Sequence, residues 1–270
     1  MIDGEWLTLP RSIAVAQTCP VKGDVNANLD EHLRLTEAAK AEGAQVVVFP
    51  ELSLTGYEIE LAGELAFSER DSRLAPLADA ASSRAITLIV GAPVRIEARL
   101  HIGAFVFLPD GTRTLYTKHR LGAFGESARS DGTVPPAEIT VFQPGDRNPL
   151  LRFGGNTAAV AICADIGLPT HPQRAADRGV KAYLASMFVI PSAFDADSAT
   201  LSRYATQHSM VVALANFGSP SGGLAAAGRS SIWSQKGELL LELGPSGAGV
   251  AVATETSEGW HAKTVMLGDP

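Results

Sequence analysis

The sequence predicts an α/β fold with two sheets packed together and helices outside, and three observations carry that prediction. Residues 11–19 alternate and then run apolar, a helical pattern follows, and residues 46–49 form a second apolar run that ends in Pro50-Glu51. Strand, helix, strand in that rhythm is a βαβ unit. Pro109-Asp110-Gly111 and Gln235-Lys236-Gly237 lie between strand-like runs and read as hairpin turns, so antiparallel pairs are mixed in. Residues 157–162 are a short apolar run with β-branched Val160 and Ile162 behind Gly154-Gly155, the pattern of a strand buried on both faces.

In chain order, Asn28 with Glu31 predicts the cap of a first helix, whose apolar positions are Leu29, Leu33, Ala38 and Ala41 and whose stop is Gly43. A second helix is expected over 72–84 and a strand over 86–90. Residues 101–108 and 112–116 pair around the first turn, and 122–136 read as a loop. After 157–162, Thr170 reads as a helix N-cap, with Gln173 at the capping-box position and Pro172 in the first turn. A strand over 182–188, a helix over 195–208 and a strand over 210–215 follow. Residues 230–233 then pair with 238–243, and 249–254 add a strand. The expected organisation is one domain over 1–270, with 255–270 as a C-terminal tail.

Composition narrows the partners. Hydrophobic residues at 46% and charged residues at 19% are those of a folded soluble protein. A net charge of −7 argues against nucleic acid or an anionic membrane as a main partner. There is no apolar run long enough to span a bilayer and no basic leader at the N-terminus. The two cysteines, Cys19 and Cys163, make no disulfide framework, which fits a reducing cytoplasm. The six histidines are scattered without metal-ligand spacing, so no metal is expected.

Three polar residues stand in apolar company. Cys163 falls where a buried strand gives way to a tight turn and a helix, a place that exposes a side chain and aims backbone N–H groups outward. Glu51 ends the run Val-Val-Val-Phe-Pro, and Lys118 directly follows a hairpin. Taken singly, each has an ordinary reading: a buried small hydrophobe, a strand-end carboxylate in water, a solvated lysine. Taken together, all three lie just past strand ends, where α/β sheets place their chemistry. A shielded carboxylate can take a thiol proton, and an ammonium beside the thiol can hold a developing oxyanion with the Ala164 N–H as second donor. Such a set forms a thioester from an amide and hydrolyses it.

The segments QTCPVKGDVNANL, VVVFPELSLTGY, LYTKHRLGAFGE, AICADIGLP, LANFG and GRSSIWSQKG together resemble the carbon–nitrogen hydrolase, or nitrilase, superfamily over nearly the whole length. The resemblance implies a four-layer α-β-β-α sandwich and a Glu-Lys-Cys triad at Glu51, Lys118 and Cys163. It also implies a second glutamate at Glu126 that positions the substrate beside the lysine. Tyr57 and Phe188 are expected at the pocket, with no cofactor and a homodimer or larger homo-oligomer. The arginine and glutamate of the family's usual Arg-Phe-Pro-Glu after the cysteine are missing, and Ala164-Asp165 is closer to amidase-type members than to nitrilases with Trp-Glu there. The expectation is a cytoplasmic amidase acting on a small linear amide. Hydrolysis of an N-carbamoyl group or a nitrile, or a silent homologue used as a binding subunit, stays open.

Overall fold

In β1 (Arg11–Gln17), Ile13 and Val15 point one way and Ala14 and Ala16 the other, yet all four are fully buried. A strand covered on both faces has to lie inside a layered molecule. The rest of the chain supplies the layers, in a computed structural model that describes residues 11–124, 129 and 131–268. After β1 come α1 (Val25–Ala41), β2 (Val46–Val48), the single turn α2 (Ala62–Leu65), α3 (Ala75–Ser83), β3 (Thr87–Ile96), β4 (Arg99–Phe107) and β5 (Arg113–Thr117). The second half runs β6 (Leu151–Phe153), β7 (Asn156–Ile162), α4 (Thr170–Asp177), β8 (Ala182–Ser186), α5 (Phe194–His208) and β9 (Val211–Ala215). Strands β10 (Ser231–Trp233), β11 (Leu239–Glu242), β12 (Gly249–Thr256) and β13 (Gly259–Met266) complete it.

One sheet has the order β13-β12-β1-β2-β3-β4-β5 and the other β11-β10-β9-β8-β7-β6. The centres are parallel, β1-β2-β3 in one and β7-β8-β9 in the other, and the flanking pairs are antiparallel. Period-two alternation sends Val15, Val48 and Ile89 from the first sheet, and Val160, Leu184 and Ala213 from the second, into one shared core. The outer face of the first sheet is closed by Leu35 and Ala39 of α1 and Leu77 and Ala81 of α3. Ala175 of α4 and Leu201, Tyr204 and Ala205 of α5 close the other. The result is the expected α-β-β-α sandwich. Among the described residues no helix is long and apolar enough to cross a membrane.

Four expectations about elements need correction. The cap of α1 is Asp24, whose Oδ1 accepts from Ala27 N at 3.0 Å. Asn28 is instead buried inside the helix, where its side chain binds Val21 N, Val21 O and Leu54 O at 2.7–3.1 Å. Thr170 is the first residue of α4 and no side chain caps that helix. Strand β3 runs on to Ile96 and forms a full hairpin with β4. The expected tail is not a tail: β13 pairs with β12 along its whole length and forms the edge of the first sheet.

Candidate active site

Strand ends from both sheets meet at one point. Glu51 follows β2, Lys118 follows β5, and Cys163 follows β7 of the opposite sheet. Glu51 and Lys118 are fully buried and Lys118 Nζ lies 2.6 Å from Glu51 Oε1. The turn carrying Glu51 is held by Glu51 N to Met187 O at 3.3 Å and Leu54 N to Gly91 O at 3.0 Å. It sits so close to β3 that a Cβ on Gly91 would be 2.2 Å from Pro50 O and 2.5 Å from Leu52 N. No other residue fits there, because real Cβ atoms do not approach backbone that closely.

A second buried glutamate completes the cluster, and it is Glu138. Its Oε1 is 2.8 Å from Lys118 Nζ and also accepts from Tyr57 Oη at 2.6 Å, while its Oε2 accepts from Gly122 N at 2.7 Å. The sequence reading assigned Glu138 no role; the glutamate it expected beside the lysine, Glu126, lies outside the described residues. The local sequence offers little to find it. Glu138 belongs to a single 3-10 turn, and only the tertiary contact with Lys118 twenty residues away marks it out.

Cys163 occupies a strained position. Its φ of 42° is in the left-handed region, which costs a non-glycine residue about 1–2 kcal/mol. Asp165 holds the turn in place. Its Oδ2 accepts from Ile162 N at 3.0 Å and Tyr116 Oη at 2.6 Å, and its Oδ1 accepts from His119 N at 3.1 Å and Arg120 N at 2.8 Å. One buried carboxylate thus clamps the backbone after Lys118 to the backbone around Cys163. Behind it, His171 Nε2 is 2.9 Å from Tyr116 Oη and His171 Nδ1 is 2.8 Å from Tyr183 Oη. Burial lowers the His171 pKa. With the Tyr116 proton given to Asp165, the neutral ring donates from Nε2 and accepts at Nδ1. Tyr116, Asp165 and His171 were given no role from sequence, although an acid next to the expected nucleophile in an apolar stretch was the available signal.

The electrostatics follow from burial. Desolvation lifts the Glu51 carboxyl to about 7 against the pull of Lys118, and Glu138 adds to the rise. Burial opposes the Lys118 ammonium, but Glu51 and Glu138 outweigh it and hold the lysine above its ordinary value. The Cys163 thiol is pushed well up, by burial first and then by Glu51, with Lys118 pulling the other way. Tyr57 is likewise raised by burial and by both glutamates, so it stays protonated and donates to Glu138. Among the described residues Glu51 Oε2 has no hydrogen-bond partner, while the Cys163 side chain is among the groups that pull the Glu51 pKa down. The thiol therefore keeps its proton at rest, and the ionised Glu51 is the group beside it that can take that proton.

The thiol opens into a cavity of about 310 Å³ lined by Tyr57, Phe124, Glu138, Ala164, Phe188 and Val189, with Asp197 at its side. Tyr57 and Phe188 both line this cavity, their ring centroids 4.8 Å apart. Cys163 Sγ is 3.7 Å from Phe188 O. Asn216 of the LANFG segment fixes the following strand end, binding Val189 N at 2.9 Å and Val189 O at 3.1 Å. Cys19 is a half-buried thiol raised by burial and by Glu31, and the cavity at Cys163 does not include it. Among the described residues no cluster of His, Cys, Asp and Glu is arranged to hold a metal ion.

Residues 12–262 match the family described as carbon-nitrogen hydrolase. The chain belongs to that family. This carbon–nitrogen hydrolase is 28% identical to the glutamine-dependent NAD(+) synthetase of Mycobacterium tuberculosis over 274 residues, which cover 91% of this chain and 39% of the synthetase. It spans well under half the length of that relative. It is 24% identical to an (R)-stereoselective amidase of Pseudomonas sp, covering 86% of this chain and 80% of that one. Among solved structures it is similar to an amidase of the nitrilase superfamily from Nesterenkonia AN1, with a TM-score of 0.78, 25% identity, and coverage of 92% of this chain and 91% of that chain. Another structure of that amidase is a complex with butyramide, at a TM-score of 0.78, 25% identity and 90% coverage of each chain.

Proposed function

We propose that the chain hydrolyses the C–N bond of a small linear amide through a thioester on Cys163. The observation that carries this reading is the buried Glu51–Lys118–Glu138 ion cluster beneath a cysteine at a strained strand end, opening into an apolar cavity. In the first step Glu51 takes the thiol proton as Sγ attacks the amide carbonyl, and the carbonyl oxygen becomes an oxyanion held by Lys118 Nζ and the Ala164 N–H. Glu51 then returns its proton to the departing nitrogen, the C–N bond breaks, and ammonia or an amine leaves. Water enters, Glu51 takes a proton from it, and the hydroxyl adds to the thioester. Collapse of that intermediate releases the carboxylic acid and restores the thiol.

Glu138 has two tasks in this scheme. It offsets the lysine charge, so that two carboxylates and one ammonium share the buried site. Its oxygens, fixed by Tyr57 and Gly122, also accept from the amide N–H₂ and orient it. Positioning of this kind matters because displacement by about 1 Å can cost about 10²-fold in rate.

The test is ammonia release from a panel of primary amides, N-carbamoyl amino acids and nitriles, with Cys163→Ser beside the wild type. Amides should be turned over fastest, and the serine variant should lose nearly all activity while keeping its fold, because a hydroxyl is far less readily ionised than a thiol. Comparable activity in Cys163→Ser would remove the cysteine from the mechanism. Release from nitriles or carbamoyl compounds alone would replace the amide.

A further inference from the structure

One charged group at the cavity has no task in the reaction above. Asp197 lies in the first turn of α5 and borders the cavity that holds Cys163, Tyr57 and Phe188. It also borders the adjoining outer cavity of about 350 Å³, which holds Cys163, Ala164, Arg120 and Thr200. Among the described residues its carboxylate makes no ion pair and receives no hydrogen bond from any side chain. Burial raises its pKa, and no neighbouring charge contributes to the shift. Its neighbour on the same turn behaves differently: Asp195 is almost fully exposed and pairs with Arg229 Nη1 at 3.5 Å. A carboxylate that merely complemented the helix dipole could sit like Asp195, in water.

A half-buried carboxylate without a partner is unfavourable unless something supplies the missing charge. The cation lining the outer cavity is Arg120, and its Nη1 is already bound to Gly167 O at 2.9 Å. The cavity that both the thiol and Asp197 border is lined largely by apolar and aromatic side chains, among them Phe124, Phe188, Val189 and Ile190. A ligand matching these surfaces carries an amide for the thiol, a hydrocarbon stem for the apolar lining, and a cation for the carboxylate.

We infer that Asp197 selects amides that carry a protonated amine on an alkyl stem, the ammonium binding its carboxylate while the amide meets Cys163. The inference rests on the amide-hydrolase reading for which end of the substrate faces the thiol. It goes further by naming the charge of the far end. Bringing a cation to a partly desolvated carboxylate gives discrimination that a hydrophobic pocket alone does not, since an added methylene changes selectivity only 10–200-fold at most and rejects nothing by charge.

The experiment compares ω-amino amides of graded chain length with neutral alkyl amides of equal length and with ω-carboxy amides, at low and high salt. Two readouts are taken: ammonia release by the wild type, and calorimetric binding to Cys163→Ala. At the best stem length the ω-amino amide should exceed its neutral counterpart at least tenfold in kcat/KM and in affinity, and the ω-carboxy amide should be worst. Asp197→Asn, close in shape, should collapse that cationic-to-neutral ratio tenfold or more, chiefly through KM, and Asp197→Glu should restore most of it. A ratio near one in the wild type, or one that survives Asp197→Asn, overturns the inference while leaving amide hydrolysis standing. No ammonia from any amide, with the binding preference present, would overturn the hydrolase reading and leave the cation site supported.

Discussion

At Glu51 two effects of opposite sign compete, and burial outweighs Lys118, leaving the carboxyl near 7. Only the ionised form can take the thiol proton. Alkylation of Cys163 by iodoacetamide should therefore climb as pH rises through about 7 and level off above it. Glu51→Gln should react at least tenfold more slowly and lose that limb, with both rates followed in a Cys19→Ser background so that one thiol reports. A single rise near the ordinary cysteine value of about 8.5 in both proteins would mean that Glu51 is not the base. At this scale the sequence was readable where a polar residue ended an apolar strand, as with Glu51, Lys118 and Cys163. Glu138 was not readable, because its significance arises wholly from Lys118 reaching it through the interior. The resemblance had pointed to Glu126, which lies outside the described residues.

Among elements, the one that orders the site is the short turn after β7, and Asp165 is its clamp. Replacing Asp165 by Asn keeps the shape but leaves one oxygen to serve four donors from three segments. An unsatisfied buried donor costs about 1–3 kcal/mol, so Asp165→Asn should lower the melting midpoint by several degrees. It should also lower kcat more than tenfold per folded molecule with KM nearly held, since the loop after Lys118 and the cysteine turn would lose their common anchor. A variant that melts early but keeps the wild-type kcat would show that Asp165 supports the fold and not the geometry of the site. Helix and strand types were legible here from periodicity, but the caps were not. Asp24 and Asn28 are both good capping residues; which one caps α1 was decided by Asn28 being needed at Val21 and Leu54, a contact invisible locally. The buried relay from Tyr183 through His171 and Tyr116 to Asp165 spans four elements and no motif spells it out.

For the whole molecule, the two-sheet sandwich was legible because the central strands are apolar on both faces, which leaves them only the interior. Strand β13 was not, because it lies at an edge with most of its residues exposed, and its mixed sequence shows no clean alternation. The same interior holds a lysine and two glutamates with essentially no access to water. Breaking such a group costs about 3–5 kcal/mol, yet replacing all its members with uncharged groups is often neutral or stabilising by about 1–4 kcal/mol. Lys118→Met should then melt well below the wild type, and Glu51→Gln/Lys118→Met/Glu138→Gln should melt at or above it, with no turnover. Calorimetric scans of the two variants settle the point, and a triple variant as fragile as the single one would mean that the ions hold the sheets together. In a population of sequences kept only for durability, then, these three charges would be lost early and lost together; a chain that still carries all three is being held to something other than durability.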